Sequence, residues 1–255
     1  MGLYGGRAGA QLTITDALTT GYRFLLKPAF SIPILVIGVV INLIVIAAFV
    51  PLIVGLVGGD VTDATVAIGG LVAGLFGAVI AAIIGGIVLN LYGQIWAVMA
   101  STGEPPTIEQ ALSRVRDRWI SVLGAGIIVG AITLGSLIVV GSVAAALGGI
   151  GVLLLLVGIV VIIYIGIRLS LAGWIAAEGT NALDSVKSSW EITNRKMLLI
   201  VGWSIVIALV IFVITFVVGL ALNLIPLVGP ALTQTLGSAF GFGAGVTLYR
   251  RVKDV

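Results

Sequence analysis

Charged residues divide the chain into four long uncharged runs, at 28–59, 64–103, 119–167 and 197–249. A helix needs about 20 mostly apolar residues to cross a bilayer. The first two runs have room for one such helix each, and the last two for a pair. Breakers mark the turns inside the long runs: Gly148-Gly149 in the third, and the segment from Pro226 to Pro230 in the fourth. The pattern predicts six spans near 31–57, 67–100, 120–146, 151–177, 197–223 and 229–249. The second is long enough to imply tilt, a bend near Gly85-Gly86, or extension beyond the lipid. Residues 1–27 carry Arg7, Asp16, Arg23 and Lys27 and show no short apolar core with a cleavage site, so no secretory signal peptide is expected.

The segments between the runs follow a different rhythm. In TIEQALSRVRDRW (107–119), Ile108, Ala111, Leu112, Val115 and Trp119 fall on one helical stripe. Pro105-Pro106 stops the preceding span, and Thr107 with Gln110 has the spacing of a capping box. Ala182, Leu183, Val186, Lys187 and Trp190 repeat Ala111, Leu112, Val115, Arg116 and Trp119, giving A-L-x-x-V-[KR]-x-x-W twice. A weaker copy places Ala17, Leu18, Gly21 and Leu25 in register, with Tyr22 and Arg23 supplying the aromatic and the cation. The expectation is an all-α polytopic protein: one integral membrane domain, 1–255, built from three units of about 13–100, 107–177 and 180–249. Each unit is an amphipathic helix followed by a two-span hairpin. These helices are expected to lie in the interface, with Arg116, Trp119, Lys187 and Trp190 among the headgroups; docking of a protein partner is the alternative.

Charge sets the orientation. The chain has 13 Lys and Arg and 10 Asp and Glu, 9% of its residues, against about 25% in an ordinary soluble domain. That excludes a soluble globular protein. Twelve of the cations fall in four places. Arg7, Arg23 and Lys27 precede the first span, Arg114, Arg116 and Arg118 follow the second, Lys187, Arg195 and Lys196 follow the fourth, and Arg250, Arg251 and Lys253 follow the last. The other connections hold only Asp60 and Asp63. The positive-inside rule then puts both termini in the cytoplasm and the protein in the plasma membrane. Trp96, Trp119, Trp174, Trp190 and Trp203 all fall near the expected cytoplasmic ends, where indole rings favour the interface. The net charge of +3 sits on helices expected to lie against lipid, so anionic headgroups are the expected partner and nucleic acid is not.

Chemistry is scarce. There is no cysteine and no histidine, which removes thiol nucleophiles, thiolate and imidazole metal ligands and the usual general base near neutral pH. There is no G-x-S-x-G elbow either, and none of the ten carboxylates, Asp254 included, falls at the middle of an expected span. Ion-coupled transport and intramembrane hydrolysis are disfavoured. No enzymatic activity, cofactor or metal is expected. Among polar residues, Arg168 is the one cation embedded in an apolar stretch. It is a candidate contact for a lipid headgroup or another anion, unless it snorkels or pairs with Glu178. Asn42, Asn90, Gln94, Asn223 and Gln234 are amides within or at the ends of spans, suited to bonds between helices. Asn90, Gln94 and Asn223, with Arg168, would mark a solute path if they converged on one cavity. Gly70 with Gly74, Gly126 with Gly130, and the series Gly237, Gly241, Gly245 have the spacing that lets helices approach closely.

The stretch A-L-D-S-V-K-S-S-W-E-I-T (182–193), leading into a span and set among six glycine-rich helices, resembles the membrane domain of glycerophosphodiester phosphodiesterases and related six-helix prokaryotic membrane proteins. In that family the phosphodiesterase chemistry belongs to a separate soluble domain. The resemblance therefore implies a stand-alone membrane module and carries no catalytic residue over to this chain. The expected role is a non-enzymatic scaffold that organises lipid or supports a partner protein. The competing role is a transport component, a permease subunit or passive channel for a small solute or lipid.

Overall fold

A computed structural model describes residues 13–57, 64–194, 196–222, 224–225 and 228–253. Asn223 lies outside the described residues, as do Arg7, Asp60, Asp63, Arg195, Pro226 and Asp254. The described chain is all-helical: α1 (Ile14–Leu25), α2 (Pro28–Val57), α3 (Ala64–Thr102), α4 (Ile108–Ala146), a 3-10 turn (Gly148–Ile150), α5 (Gly151–Leu169), α6 (Ala172–Glu178), α7 (Ala182–Asn194), α8 (Met197–Leu222) and α9 (Val228–Lys253).

Five segments are long and apolar enough to cross a membrane: Pro28–Ala47, Val72–Thr102, Ile108–Ala146, Gly148–Glu178 and Met197–Leu222. They are the mark of a polytopic membrane protein. Their outward side chains are large and aliphatic, as along α5, where Val152, Leu153, Leu156 and Val160 are exposed. Such surfaces are tolerated when the surrounding solvent is lipid. The sixth expected span, 229–249, coincides with α9 but is not among the five. This helix is long enough, yet Thr233, Gln234, Thr235, Ser238 and five glycines dilute its apolarity. The reason is its position. Twelve of its residues are buried, because α1, α2, α3 and α8 pack around it. A helix surrounded by protein needs small, close-packing residues more than it needs hydrophobicity.

Local signals set most of the boundaries. The expected capping box is present: Gln110 N–H donates to Thr107 Oγ1 (3.3 Å) and Thr107 N–H to Gln110 Oε1 (3.0 Å). Thr13 and Asp16 form a second one at α1. Gly148 turns the α4–α5 hairpin with φ +56°, a backbone state that favours glycine. Two boundaries differ from expectation. Residues 107–119 were expected to form a separate helix ahead of a span at 120–146, but Ile108–Ala146 is a single helix. No breaker stands between Trp119 and Ile120, so the hydrogen-bond ladder continues. The expected span 151–177 is in turn interrupted at Ser170-Leu171, between α5 and α6. There the Arg168 carbonyl accepts hydroxyl bonds from Ser189 (2.8 Å) and Thr193 (3.0 Å) of α7.

The core lies toward the basic end of the bundle. Trp96 is fully buried, with its ring centroid 4.9 Å from that of Phe24 and 5.0 Å from that of Phe30; Phe242 closes the group 6.2 Å from Phe30. Trp174 and Trp203 are also buried. This corrects the expectation of five interfacial tryptophans, since three of the rings fill gaps between helices and only Trp119 and Trp190 are exposed. The α1 helix buries Ala17, Thr20, Gly21 and Phe24, one face at helical spacing. It crosses α9 where a Cβ on Gly243 would lie 2.5 Å from the Gly21 nitrogen, so glycine is required for that approach. The Gly126 and Gly130 pair, expected to pack against a neighbour, instead faces open space.

Candidate functional site

Helices α3, α6 and α9 line an open cleft of about 660 Å³, within the size range of small-molecule sites. Asn90 and Gln94 enter from α3, Trp174 from α6, and Gln234, Ser238 and Phe242 from α9. Asn90 and Gln94 stand one turn apart, as do Gln234 and Ser238, so each helix presents two polar groups to the same space. Charge is absent from the lining. The glycine series on α9 serves three surfaces: a Cβ on Gly237 would meet Thr215 of α8 at 3.2 Å, one on Gly245 would meet the Trp174 ring at 2.3 Å, and one on Gly241 would meet nothing within 4 Å. Gly241 and, across the cleft, Gly86 leave the volume open.

The hydrogen bonding of these groups is incomplete. Asn90 donates only to its own helix, to the Gly86 carbonyl (3.0 Å). The Gln94 amide lies against Gly173, and its Oε1 is buried with no partner. The Gln234 amide lies over Gly38 of α2. Among the described residues neither Gln234 nor Ser238 makes a side-chain hydrogen bond. A buried polar atom without a partner costs about 1–3 kcal/mol. Gln94 Oε1 is such an atom, and it shares the cleft with the part-exposed Gln234 and Ser238, so the space suits an occupant that hydrogen-bonds, whether water or a ligand.

A second polar group, this one charged, lies at the basic end. The Glu178 carboxylate, which ends α6, accepts from Arg250 Nη1 (3.0 Å), from Lys253 Nζ (2.5 Å) and from the Tyr249 hydroxyl. Its backbone carbonyl accepts from Arg114 Nη2 (3.3 Å), and the next carbonyl, Gly179, accepts from Arg118 Nη1 (2.7 Å). Arg250 Nε donates to Ser101 Oγ (3.0 Å), while its Nη2 is buried without a partner. Gly179 has φ +143°, and a Cβ there would lie 3.3 Å from Arg118 Nη2, so glycine suits both the backbone and the guanidinium. Four cations from α4 and α9 thus converge on the end of α6, two on the Glu178 carboxylate and two on the backbone carbonyls of Glu178 and Gly179.

The expected site residues separate. Asn90 and Gln94 share the cleft; Asn223 lies outside the described residues. Arg168 does not line it. Its guanidinium is 4% exposed, stacks 4.3 Å from the Trp190 ring and donates to Asn194 Oδ1 at 2.5 Å, with Nε left unpartnered. No carboxylate lies within 4.0 Å of it among the described residues; Glu178 pairs with Arg250 and Lys253 instead. On the outer faces, Leu112 and Trp119 of α4 are exposed, as are Leu183 and Trp190 at the matching positions of α7; Arg116 and Lys187 are exposed beside them. Gln234 had been noted as an amide but not as a cavity residue, and Ser238 and Trp174 were not singled out for the cavity. The spacing of Gln234 and Ser238, equal to that of Asn90 and Gln94, was the available signal. Among the described residues no three His, Cys, Asp or Glu side chains stand close enough to hold a metal. Compared with family models, curated proteins and solved structures, the chain finds no match.

Proposed function

We infer that the protein is a transport component of the membrane, in which the cleft between α3, α6 and α9 binds an uncharged, hydrogen-bonding solute or headgroup. One observation carries this reading: Gln94, whose Oε1 is buried with no partner, shares one space with Gln234 and Ser238, which make no side-chain hydrogen bond among the described residues. A scaffold gains nothing from amides held apart in a bundle, since each could bond across helices and add about 0.6–2 kcal/mol. A binding site keeps them free. The lining carries no charge, so the occupant is neutral, and the Trp174 and Phe242 rings offer an apolar wall for its other face. In this reading α9 is the sixth span, both termini are cytoplasmic in a plasma membrane, and the related stretches at 107–119 and 179–190 place Trp119 and Trp190 at the interface. In the same reading no covalent bond is made or broken and the protein acts without enzymatic chemistry.

Uptake of neutral polyols into proteoliposomes tests this. The wild-type protein should raise permeation over empty liposomes, and Gln94→Leu with Gln234→Leu should remove most of the increase while the protein remains folded. Equal uptake with and without protein, across polyols and small amides, would return the chain to the scaffold role and make partner capture the next experiment.

A further inference from the structure

The charged group at the basic end has more positive charge than its structure uses. Arg114, Arg118, Arg250 and Lys253 gather at the C-terminal end of α6, where Glu178 is the one carboxylate that they meet among the described residues. Arg250 and Lys253 are the two that pair with it. Arg114 and Arg118 make no ion pair with any described carboxylate and touch only the backbone carbonyls of Glu178 and Gly179. Each spends one N–H there and keeps four, and both guanidiniums are only partly exposed. They sit one turn apart on α4, a spacing that lets two forks close on one ligand. Arg250 adds a buried Nη2 with no acceptor. Cations held together at the edge of a low-dielectric region repel one another, and one carboxylate neutralises one of the four. The missing partner must bring negative charge and several acceptor oxygens. A phosphate group has both, and its oxygens match the guanidinium fork.

We propose that Arg114, Arg118, Arg250 and Lys253, arranged around Glu178 and Gly179, form a binding site for an anionic phosphate group at the basic end of the bundle. The site is separate from the neutral cleft and does not depend on its role. Two sources share this chemistry, a phosphodiester of an anionic lipid and free phosphate. Of the groups around it, Ser101 is already taken by Arg250 Nε, and the site is open on the side of Lys253, whose side chain is 41% exposed.

The test uses the full chain in nanodiscs of phosphatidylcholine containing rising fractions of phosphatidylglycerol, with bound lipid read by native mass spectrometry after release into detergent. Wild type should retain phosphatidylglycerol in preference to phosphatidylcholine, and added salt should weaken that preference. Arg114→Gln with Arg118→Gln should weaken retention roughly tenfold or more, whereas Arg114→Lys with Arg118→Lys should keep part of it. Added inorganic phosphate separates the sources. Displacement of the lipid, or protection of the unfolding midpoint by phosphate in pure phosphatidylcholine discs, assigns free phosphate; retention unaffected by phosphate assigns the lipid. The proposal is overturned if wild type shows neither headgroup preference nor a response to phosphate. It is also overturned if the folded glutamine variant, checked by its helical circular dichroism, binds as wild type does. These wild-type readouts decide even where a variant fails to fold.

Discussion

The two polar regions of this bundle are built on opposite terms. In the cleft, neutral amides and a hydroxyl share one space, with Asn90 bonded only to its own helix and Gln94 Oε1 buried without a partner. At the basic end, a carboxylate takes hydrogen bonds from an ammonium, a guanidinium and a phenol, and two further guanidiniums reach its backbone. An amide can be left unpaired at a cost of a kilocalorie or so, whereas an ion in a low-dielectric setting cannot. The cleft can therefore stand open in readiness for a ligand. In the Glu178 cluster the protein itself supplies one carboxylate and two backbone carbonyls, and these bonds tie α3, α4, α6 and α9 to one another. The first region offers only neutral groups, and the second holds the frame with cations to spare for an anion. The two are joined through α6, whose Trp174 lines the cleft and whose last residue is Glu178.

The contrast can be broken most strongly at Glu178. Glu178→Gln leaves Arg250 and Lys253 without their carboxylate, and the expected loss is about 2 kcal/mol, below the cost of breaking a fully buried pair because Lys253 is well solvated. Thermal unfolding in detergent should show it as a lower midpoint, and an unchanged midpoint would remove the cluster from its structural role. Gln94→Leu should act in the other direction on stability. Replacing a buried carbonyl oxygen that has no acceptor bond with an apolar group is expected to raise stability by about 1 kcal/mol or leave it unchanged, while solute permeation falls about tenfold. A clear loss of stability would mean that the amide is bonded after all. Arg168→Leu removes a buried cation along with its bond to Asn194 and its stacking on Trp190, and a net cost near 1 kcal/mol is expected. The bonds from Ser189 and Thr193 survive because they go to the backbone. The smallest effect is expected at Gly241→Ala, where the added methyl enters open space. Helix propensity favours alanine by up to about 1 kcal/mol, so the unfolding midpoint should hold or rise slightly, while bulkier solutes permeate less. An added Cβ at Gly243, pressed against the backbone of Gly21, should instead lower the midpoint.

Much of the helix layout was legible along the chain, because length, apolarity and breakers act locally. The Gly148 turn, the Thr107 cap and the ends of α8 came out close to expectation. Two misreadings have a common cause. Treating 107–119 as a separate helix relied on a change of polarity at Trp119, but polarity does not break a helix; only a lost hydrogen bond or a forbidden dihedral does. Conversely, the break at Ser170-Leu171 carries no proline or glycine. It is supported by Ser189 and Thr193, some twenty residues away, taking the freed carbonyl of Arg168. The tryptophans were misread in the same way: Trp96 and Trp174 have interfacial spacing but core neighbours.

By itself the sequence determined that this chain belongs in a membrane, where α2, α3, α8 and α9 begin and end to within a few residues, and which side chains bring polarity into apolar helices. Those properties depend on hydrogen-bond ladders and on transfer from water, both decided within a turn or two of each residue. Only the tertiary structure decided that Asn90 and Gln94 face Gln234 and Ser238, that Arg168 turns to Trp190, and that Glu178 gathers cations from α4 and α9. These depend on how helices rotate and cross, which is set where small residues such as Gly21 and Gly243 let distant backbones meet. Steric fit between segments more than two hundred residues apart leaves no periodicity in either one.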